Sequence, residues 1–184
     1  MDLGISGKNA LVTGGSRGLG RQAALSLAAA GVNVAIGGRT QSTLETTVGE
    51  LEALGVKSIG VVADVSNVEG MNDLHQKVVD SMGEVDILVN NAASGVQRGV
   101  LDLETKHWDW TLDINTRAPW LCAKEAAHLM PNGGRIVNIT SLGSHLVLSN
   151  YLAVGVSKAG LEALTRYLAV ELAPQGIVVN AVSG

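Results

Sequence analysis

This sequence of 184 residues lacks features that several functional classes require. Its single cysteine, Cys122, excludes an internal disulfide, and no group of cysteine and histidine residues has the spacing of metal ligands. Lysine and arginine total 13 against 17 aspartate and glutamate, and no basic run stands out, which argues against nucleic acid as a partner. We therefore expect an intracellular protein without a metal site.

Long apolar runs are also absent. The longest apolar stretches, such as residues 23–30, end well before the roughly 20 residues that a helix needs to cross a bilayer. Residues 1–8 do not combine a charged start with a following apolar stretch, as a secretory signal would. These patterns predict a cytoplasmic protein with no membrane span.

What the sequence contains is typical of a globular α/β domain. Hydrophobic residues make up 46% and charged residues 16%, far from the composition of a disordered chain. Short β-branched segments alternate with longer helical patterns, and glycine often stands where a helix should end. Strands are predicted at 9–13, 32–36, 58–63, 86–90, 135–140 and 177–181, and helices at 44–54, 68–82 and 151–173. An Ala/Leu-rich helix is also predicted between the glycine turn and Gly31, and helical segments from about 104 to 129.

Several predicted strands are nearly continuous apolar runs, as expected for parallel strands that helices cover on both faces. The order of elements predicts a Rossmann-type α/β fold, a doubly wound parallel sheet in a three-layer arrangement, with the ligand at the carboxyl ends of the strands. The chain ends directly after the sixth predicted strand, where such a sheet normally continues. We therefore expect residues 1–184 to form one domain that is truncated after strand six.

The segment after the first predicted strand, Thr13-Gly-Gly-Ser-Arg-Gly-Leu-Gly20, leads directly into a helix. Its glycines allow the backbone to turn tightly and approach a pyrophosphate, while the helix N-terminus presents N–H groups and the positive end of its dipole. A glycine cluster alone is weak support, but this one has the strand–turn–helix context that dinucleotide binding requires. The alternative is a purely structural turn.

The end of the second predicted strand indicates which dinucleotide is bound. An acidic residue there would accept hydrogen bonds from the ribose 2′-hydroxyl of NAD and repel a 2′-phosphate, but the sequence reads Gly37-Gly38-Arg39-Thr40. Arg39 and Arg17 could together bind a 2′-phosphate. The alternative is that both are solvated surface arginines. The pattern favours NADP(H) as the cofactor.

Further motifs resemble those of the short-chain dehydrogenase/reductase family. They are the glycine pattern, Asn90-Asn91-Ala92-Ala93 after the fourth strand, Asn115 in the next helix, Ser141 after the fifth strand, and a downstream tyrosine and lysine. The resemblance covers essentially the whole chain. It implies an oxidoreductase whose NAD(P)-binding Rossmann domain occupies residues 1–184, with the substrate-loop part that follows in the family fold absent.

The resemblance also implies individual roles. Ser141 would hydrogen-bond the substrate oxygen, Asn115 would support a water near Lys158, and Tyr151 would be the acid or oxyanion donor; Ser141 without substrate contact and Asn115 as an ordinary helix amide are the alternatives. The expected catalytic residues are thus Tyr151, Lys158, Ser141 and Asn115. The expected cofactor-binding residues are Gly14, Ser16, Arg17, Gly18, Leu19, Gly20, Arg39, Asp64, Val65, Asn91, Ala92, Ala93 and Lys158.

The position of the tyrosine departs from most of the family, which places it four residues before the lysine. That position is Val154 here, which has no exchangeable proton. Tyr167 lies nine residues after Lys158, about half a turn away at ~100° per residue, and so faces the opposite side of the helix. Tyr151 lies seven residues before Lys158, two turns away, so both can face one cleft.

This Tyr-x6-Lys spacing, with Asn91–Gly95, His107–Trp110 and Val154–Lys158, is similar to bacterial enoyl-acyl carrier protein reductase III, a group that reduces the double bond of enoyl thioesters with NADPH. In such a conjugate reduction the charged oxygen lies three bonds from the carbon that receives hydride. A tyrosine placed one turn nearer the start of the helix than the commoner position could reach this oxygen. Two alternatives remain: a carbonyl or 3-oxoacyl thioester reductase or alcohol dehydrogenase of the same family, and a protein that binds NADPH without turnover.

The remaining expectations concern partners and surface residues. His107, Trp108 and Trp110 are interpreted as core or subunit-interface anchors, and His145 as a solvated loop histidine. The helices at 110–130 and 151–173 have wide apolar faces, and with the family resemblance they predict a homodimer or homotetramer. The expected substrate is a small-molecule or carrier-protein-bound acyl thioester.

Overall fold

A computed structural model describes residues 3–183 of the chain. Six parallel strands form one sheet in the order β3-β2-β1-β4-β5-β6. This is the Rossmann strand order, and the predicted doubly wound parallel sheet is confirmed. The strands are β1 Asn9–Thr13, β2 Asn33–Gly38, β3 Ser58–Val62, β4 Ile87–Asn90, β5 Gly134–Thr140 and β6 Ile177–Ser183.

Helices cover both faces of the sheet because successive strand side chains point to opposite sides. Ala10 and Val12 of β1 pack with the helices α1 and α2, whereas Leu11 packs on the other face with α3, α5 and α6. All three of these side chains are fully buried. The helices are α1 Gly18–Ala29, α2 Gln41–Glu52, α3 Val68–Met82, α4 Thr105–Leu112, α5 Ala118–His128 and α6 Leu152–Glu171.

Element boundaries agree best where the sequence carries explicit end signals. The third helix is as predicted, because the Asn67 side chain caps its first turn by accepting from the N–H of Gly70, and Gly83 follows its last residue. The helical segments predicted from about 104 to 129 are two helices, α4 and α5, joined by a π-helical turn over Asp113–Arg117. Gly184 lies outside the described residues.

A buried polar chain fixes α6 against the sheet. The Asn90 side chain donates to that of Asn138 at 2.9 Å, and Asn138 donates to the Thr165 hydroxyl at 2.9 Å. Each of the three residues is less than 10% exposed. Because an unmet hydrogen bond at such depth costs roughly 1–3 kcal/mol, this chain holds β4, β5 and α6 in one relative position. Tyr151 and Lys158 lie at the start and in the first half of that helix.

Residues 3–183 lack two kinds of feature, a membrane-spanning helix and a cluster of metal-ligating side chains. No helix there is both long and apolar enough to span a bilayer. Nor does that part of the chain bring three or more histidine, cysteine, aspartate or glutamate side chains together as metal ligands.

Candidate active site

The glycine-rich turn between β1 and α1 is held by the segment that follows β4. The Asn91 side chain donates to the carbonyl oxygens of Thr13 and Gly14 at 3.0 and 3.1 Å. The Thr13 hydroxyl in turn accepts from the N–H groups of Asn91 and Ala92, both at 3.1 Å. Gly20 allows this close approach, because a Cβ there would collide with Asn91 and with the Gly14 carbonyl. No side chain caps the N-terminus of α1, where an anion could bind.

A cavity of about 340 Å³ lies at the carboxyl ends of the strands, over this turn. Most of the expected cofactor-binding residues line it: Gly14, Ser16, Arg17, Gly18, Arg39, Asp64, Val65, Asn91, Ala92 and Ala93. Six further residues line the cavity that were not among the expected cofactor-binding residues: Gly37, Gly38, Thr40, Ala63, Ser94 and Ile114.

Three of the expected cofactor-binding residues, Leu19, Gly20 and Lys158, lie outside this lining. Leu19 is 65% exposed at the start of α1, and Gly20 is packed beneath the turn. Of the first turn of α1, Gly18 therefore lines the cavity, whereas Leu19 and Gly20 do not.

The charges around the cavity are suited to an anion. Arg17 and Arg39 line it from the glycine turn and from the end of β2, and both are exposed. Within residues 3–183 neither guanidinium forms an ion pair, so both are free to bind a ligand. Asp64 is the acidic residue in the lining, and it follows β3 rather than β2.

Lys158 is a buried ammonium in the first half of α6. Only 5% of the residue is exposed, and its Nζ donates to the carbonyl oxygen of Ile139 at 2.6 Å. Burial lowers the pKa of Lys158 from 10.5 to about 8. Because a buried charge with one hydrogen bond is costly, the fold keeps this lysine at the expense of stability, as functional sites often do.

Asn115 lies in the π-helical turn and is completely buried. Its side-chain oxygen accepts from the N–H of Ser94 at 2.9 Å, and its amide donates to the Ser94 carbonyl at 2.8 Å and to the Ser157 hydroxyl at 2.9 Å. It therefore joins the segment after β4 to α6 beside Lys158. The expected contact with a water stays a prediction.

Tyr151 and Ser141, two of the expected catalytic residues, lie close together in the structure. The phenolic oxygen of Tyr151 lies 3.4 Å from the Ser141 hydroxyl, which also accepts from the N–H of Gly143 at 3.3 Å. Tyr151 is the residue directly before α6, preceded by Asn150 in a left-handed conformation with φ 57°. Asparagine tolerates that conformation better than most residues, so it suits the chain reversal that brings Tyr151 back over the turn.

Two glycines that sequence reasoning missed allow this arrangement. A Cβ on Gly143 would lie 2.5 Å from Cε1 of the Tyr151 ring, and one on Gly155 would lie 2.8 Å from the Gly143 carbonyl oxygen. Gly155, which lies inside α6, could have indicated this close packing from the sequence alone. A glycine in a helix costs roughly 1 kcal/mol of stability relative to alanine, so its presence there suggests a packing reason. Val154, at the commoner tyrosine position, is 9% exposed and packs against Gly95.

Gly143→Ala tests whether this packing positions the phenol. The added methyl group overlaps the ring, so we expect it to displace Tyr151 and lower kcat by about tenfold, with NADPH affinity unchanged because neither residue lines the larger cavity. Steady-state kinetics and a fluorescence titration of NADPH measure the two effects. Gly49→Ala is the matched control, since a Cβ at Gly49 in α2 meets open space. Wild-type kcat in Gly143→Ala would contradict the packing argument.

A second cavity of about 240 Å³ lies beside Tyr151. Its walls come from the turn after β5 and from the first turns of α6, and they include Leu146, Val147, Leu148, Leu152 and Val156. All five side chains are at least 38% exposed, so the cleft is apolar and open to solvent. Such a surface suits an acyl chain rather than a charged substrate.

The structure adds contacts and burial to two interpretations of surface residues. His145 is not only solvated, because its Nε2 lies 2.9 Å from Oε2 of Glu162 although 71% of the histidine side chain is exposed. Trp108 and Trp110 are partly buried and line neither of the two cavities. The structure thus gives these tryptophans no role in the site.

Known proteins resemble this chain over nearly its whole length. The family described as "Enoyl-(Acyl carrier protein) reductase" matches residues 14–184. The 1-cyclohexenylcarbonyl-CoA reductase of Streptomyces collinus is 42% identical over 175 residues, covering 95% of this chain. The chain spans only 62% of the length of that relative.

Two further proteins are similar. The 3-oxoacyl-[acyl-carrier-protein] reductase of Synechocystis sp. is 38% identical over 184 residues, covering 97% of this chain and 74% of that protein. The solved structure of NAD⁺-bound xylitol dehydrogenase is 34% identical, with a TM-score of 0.93, and the match covers 97% of this chain and 70% of that one. These similarities agree with the Rossmann fold described above.

Proposed function

This chain belongs to the short-chain dehydrogenase/reductase family of oxidoreductases, and from that premise we propose that it reduces the carbon–carbon double bond of an enoyl thioester with NADPH. The observation that carries the proposal is the displaced tyrosine. Tyr151 lies beside Ser141 at the start of α6, while buried Val154 occupies the commoner position. The substrate named for the Streptomyces relative likewise has a double bond conjugated to a thioester carbonyl.

The residues around the larger cavity fit a nicotinamide dinucleotide. The glycine turn presents backbone and an uncapped helix N-terminus to a pyrophosphate, and a side chain at Gly20 would displace Asn91, which holds this turn. Arg17 and Arg39, with no acidic residue at the end of β2, suit the 2′-phosphate of NADPH. Lys158 would bind the nicotinamide ribose. The chemistry that the cofactor supplies when bound is transfer of a hydride to the substrate β-carbon.

The side chains of the protein would stabilise the charge that develops on the substrate and transfer the proton. As hydride adds to the β-carbon, the negative charge moves to the thioester oxygen, and the Tyr151 phenol donates a hydrogen bond to this enolate. Ser141 is 3.4 Å from the phenol and can donate a second hydrogen bond to the same oxygen. The phenol then gives its proton to the enolate oxygen, the resulting enol tautomerises through solvent water to the saturated thioester, and water returns a proton to the phenolate. The apolar cleft beside Tyr151 would hold the acyl chain.

A 3-oxoacyl thioester reductase is the second candidate. The Synechocystis relative carries that name, and a tyrosine and a serine at 3.4 Å could also protonate a ketone oxygen. In ketone reduction, however, the oxygen sits on the carbon that accepts hydride. The donor would then be needed nearer to the nicotinamide, and the tyrosine position common in the family, one turn later in α6, is Val154 here.

Parallel assays distinguish the two activities. Crotonyl and acetoacetyl thioesters, each on coenzyme A and on acyl carrier protein, are incubated with NADPH or NADH while absorbance at the nicotinamide band is followed. We expect oxidation of NADPH with the crotonyl thioester and little with the acetoacetyl thioester. The reverse preference would favour the second candidate, and tight NADPH binding without turnover of either would favour a non-catalytic protein.

Arg39→Asp tests the choice of cofactor. The substitution replaces a charge-assisted contact with a like-charge one, so we expect NADPH binding to weaken by roughly 2 kcal/mol, about 30-fold in Kd, with NADH binding spared. Fluorescence titration with both cofactors measures this change. Arg39→Gln, which removes the charge without adding repulsion, should give a smaller loss. Unchanged NADPH affinity in Arg39→Asp would refute the arginine clamp.

We also propose that the protein is a homodimer or homotetramer. The helices α5 and α6 expose large apolar side chains, among them Trp120 at 45%, Tyr167 at 70% and Val170 at 75%. An exposed apolar helix face of this kind is typical of a subunit interface.

A further inference from the structure

Glu162 is a charged residue of α6 that neither the sequence patterns nor the proposed chemistry uses. It lies one turn after Lys158, and its carboxylate points at the turn that follows β5, with 13% of the side chain exposed. One oxygen, Oε1, accepts from the Thr140 hydroxyl at 2.8 Å and from the Ser144 hydroxyl at 2.5 Å. The other, Oε2, faces Nε2 of His145 at 2.9 Å.

These contacts bracket Ser141 on both sides. Thr140 comes directly before it, and Ser144 closes the short 3₁₀ turn Leu142–Ser144 that follows. The Ser144 hydroxyl is also 2.7 Å from the carbonyl oxygen of Ser141, so its one hydrogen is shared between that carbonyl and the carboxylate. A single carboxylate thus holds the residue before Ser141 and the end of the turn after it.

The carboxylate remains charged in this setting. Burial raises the pKa of Glu162, but the hydrogen bonds from Ser144 and Thr140 and the positive groups of His145 and Arg166 outweigh that effect and lower it. Hydrogen bonds to a charged acceptor are about twice as strong as those between neutral groups. The turn is therefore held by strong hydrogen bonds that it donates to a carboxylate of α6, the helix that also carries Lys158.

We propose that Glu162 is a positioning residue, which orients the Ser141 hydroxyl and the Tyr151 phenol toward one substrate oxygen by clamping residues 140–145 to α6. This role rests on the proposed reductase function for its consequence in catalysis. It predicts that loss of the carboxylate lets the turn move, separates the two hydroxyls and leaves the cofactor cavity intact, because Glu162 does not line it.

A spectroscopic test reads the phenol directly. The protein is labelled with ¹³C at the tyrosine Cζ, and the Tyr151 resonance is assigned by its loss in Tyr151→Phe. We expect Glu162→Ala to shift this resonance and its titration with pH, and Glu162→Gln to shift it less, because an amide oxygen still accepts one hydroxyl. Glu171→Ala, an exposed residue at the end of the same helix, is the matched control and should leave the resonance unchanged.

Kinetics supply the second readout. For crotonyl thioester reduction we expect Glu162→Ala to lower kcat by about tenfold with little change in the KM for NADPH, and Glu162→Gln to recover part of the rate. Thermal unfolding of each variant establishes that the compared proteins are folded. A Tyr151 resonance at its wild-type position in folded Glu162→Ala would overturn the proposal, whatever the kcat of that variant.

The two hypotheses can fail separately. If the wild-type protein reduces no enoyl thioester, the proposed function fails, while the Tyr151 resonance still decides whether Glu162 positions the phenol. If the wild-type protein is active and the resonance does not respond to Glu162→Ala, the positioning role fails alone.

Discussion

Tyr151→Phe is expected to lower kcat for crotonyl thioester reduction by about 10²-fold or more, with NADPH affinity close to that of the wild type. The substitution removes the phenolic oxygen that lies 3.4 Å from the Ser141 hydroxyl, but keeps the ring that packs against Gly143. Tyr151 does not line the larger cavity, so cofactor binding should not change. Steady-state kinetics with a fluorescence titration of NADPH measure both quantities.

Tyr167→Phe is the control for this substitution. Tyr167 lies on the same helix but away from the site, and phenylalanine keeps the apolar ring proposed for the subunit interface, so loss of the hydroxyl should leave the rate unchanged. A normal rate of enoyl reduction by Tyr151→Phe would show that the Tyr-x6-Lys interpretation is wrong and would leave α6 without an identified proton donor.

Lys158→Met is expected to lower kcat/KM by roughly 10²-fold and to weaken NADPH binding, because it removes the ammonium proposed to hold the nicotinamide ribose. Methionine has a similar length and no charge, so it can occupy the same buried space. The same assays apply, and Lys124→Met on the exposed face of α5 is the control. Retention of both activity and NADPH affinity would exclude Lys158 from the site.

The same variant has a distinctive effect on the pH dependence of stability. Burial lowers the pKa of Lys158 from 10.5 to about 8 in the folded protein. Between these pH values the unfolded chain keeps a proton that the folded protein has released, so the free energy of unfolding rises with pH, by up to about 1.4 kcal/mol per unit. Below about pH 8 both states hold the proton and the contribution is flat.

Lys158→Met lacks this titration. Urea denaturation from pH 7 to 9.5 should therefore show the wild type gaining stability relative to the variant as pH rises through about 8. Parallel curves for the two proteins would mean that burial does not perturb the lysine. The buried ammonium of Lys158 lowers the free energy of unfolding of the wild type at neutral pH. The kinetic and the denaturation measurements on Lys158→Met together would therefore separate the catalytic contribution of Lys158 from its effect on folding.

The sequence predicted those parts of the fold that depend on local signals. The glycine turn and the bounds of α3 follow from residue types and spacings within a few positions of each other. The alternation of strands and helices predicted a doubly wound parallel sheet, but not the order of its strands. Tyr151 and Ser141 were each expected in the site, but their contact with each other was not predicted.

The missed features depend on how elements pack. Glu162 contacts Ser144 and Thr140, which lie 18 and 22 residues away, only because of the angle at which α6 crosses β5. The importance of Gly143 follows from the volume of an aromatic ring across the turn, which no periodicity encodes. The π-helical turn that buries Asn115 was likewise hidden, because its residues fit a regular helical pattern equally well.

The segment 91–94 is held at both ends, and this limits how the enzyme can be altered. Asn91 and Ala92 are bonded to the glycine turn, and Ser94 is bonded to Asn115, which in turn reaches α6. An insertion there would break both attachments at once and uncouple the cavity over the glycine turn from α6. Libraries aimed at a new substrate range should therefore leave these four residues untouched and randomise 146–148, whose side chains line the apolar cleft and are largely free of the framework.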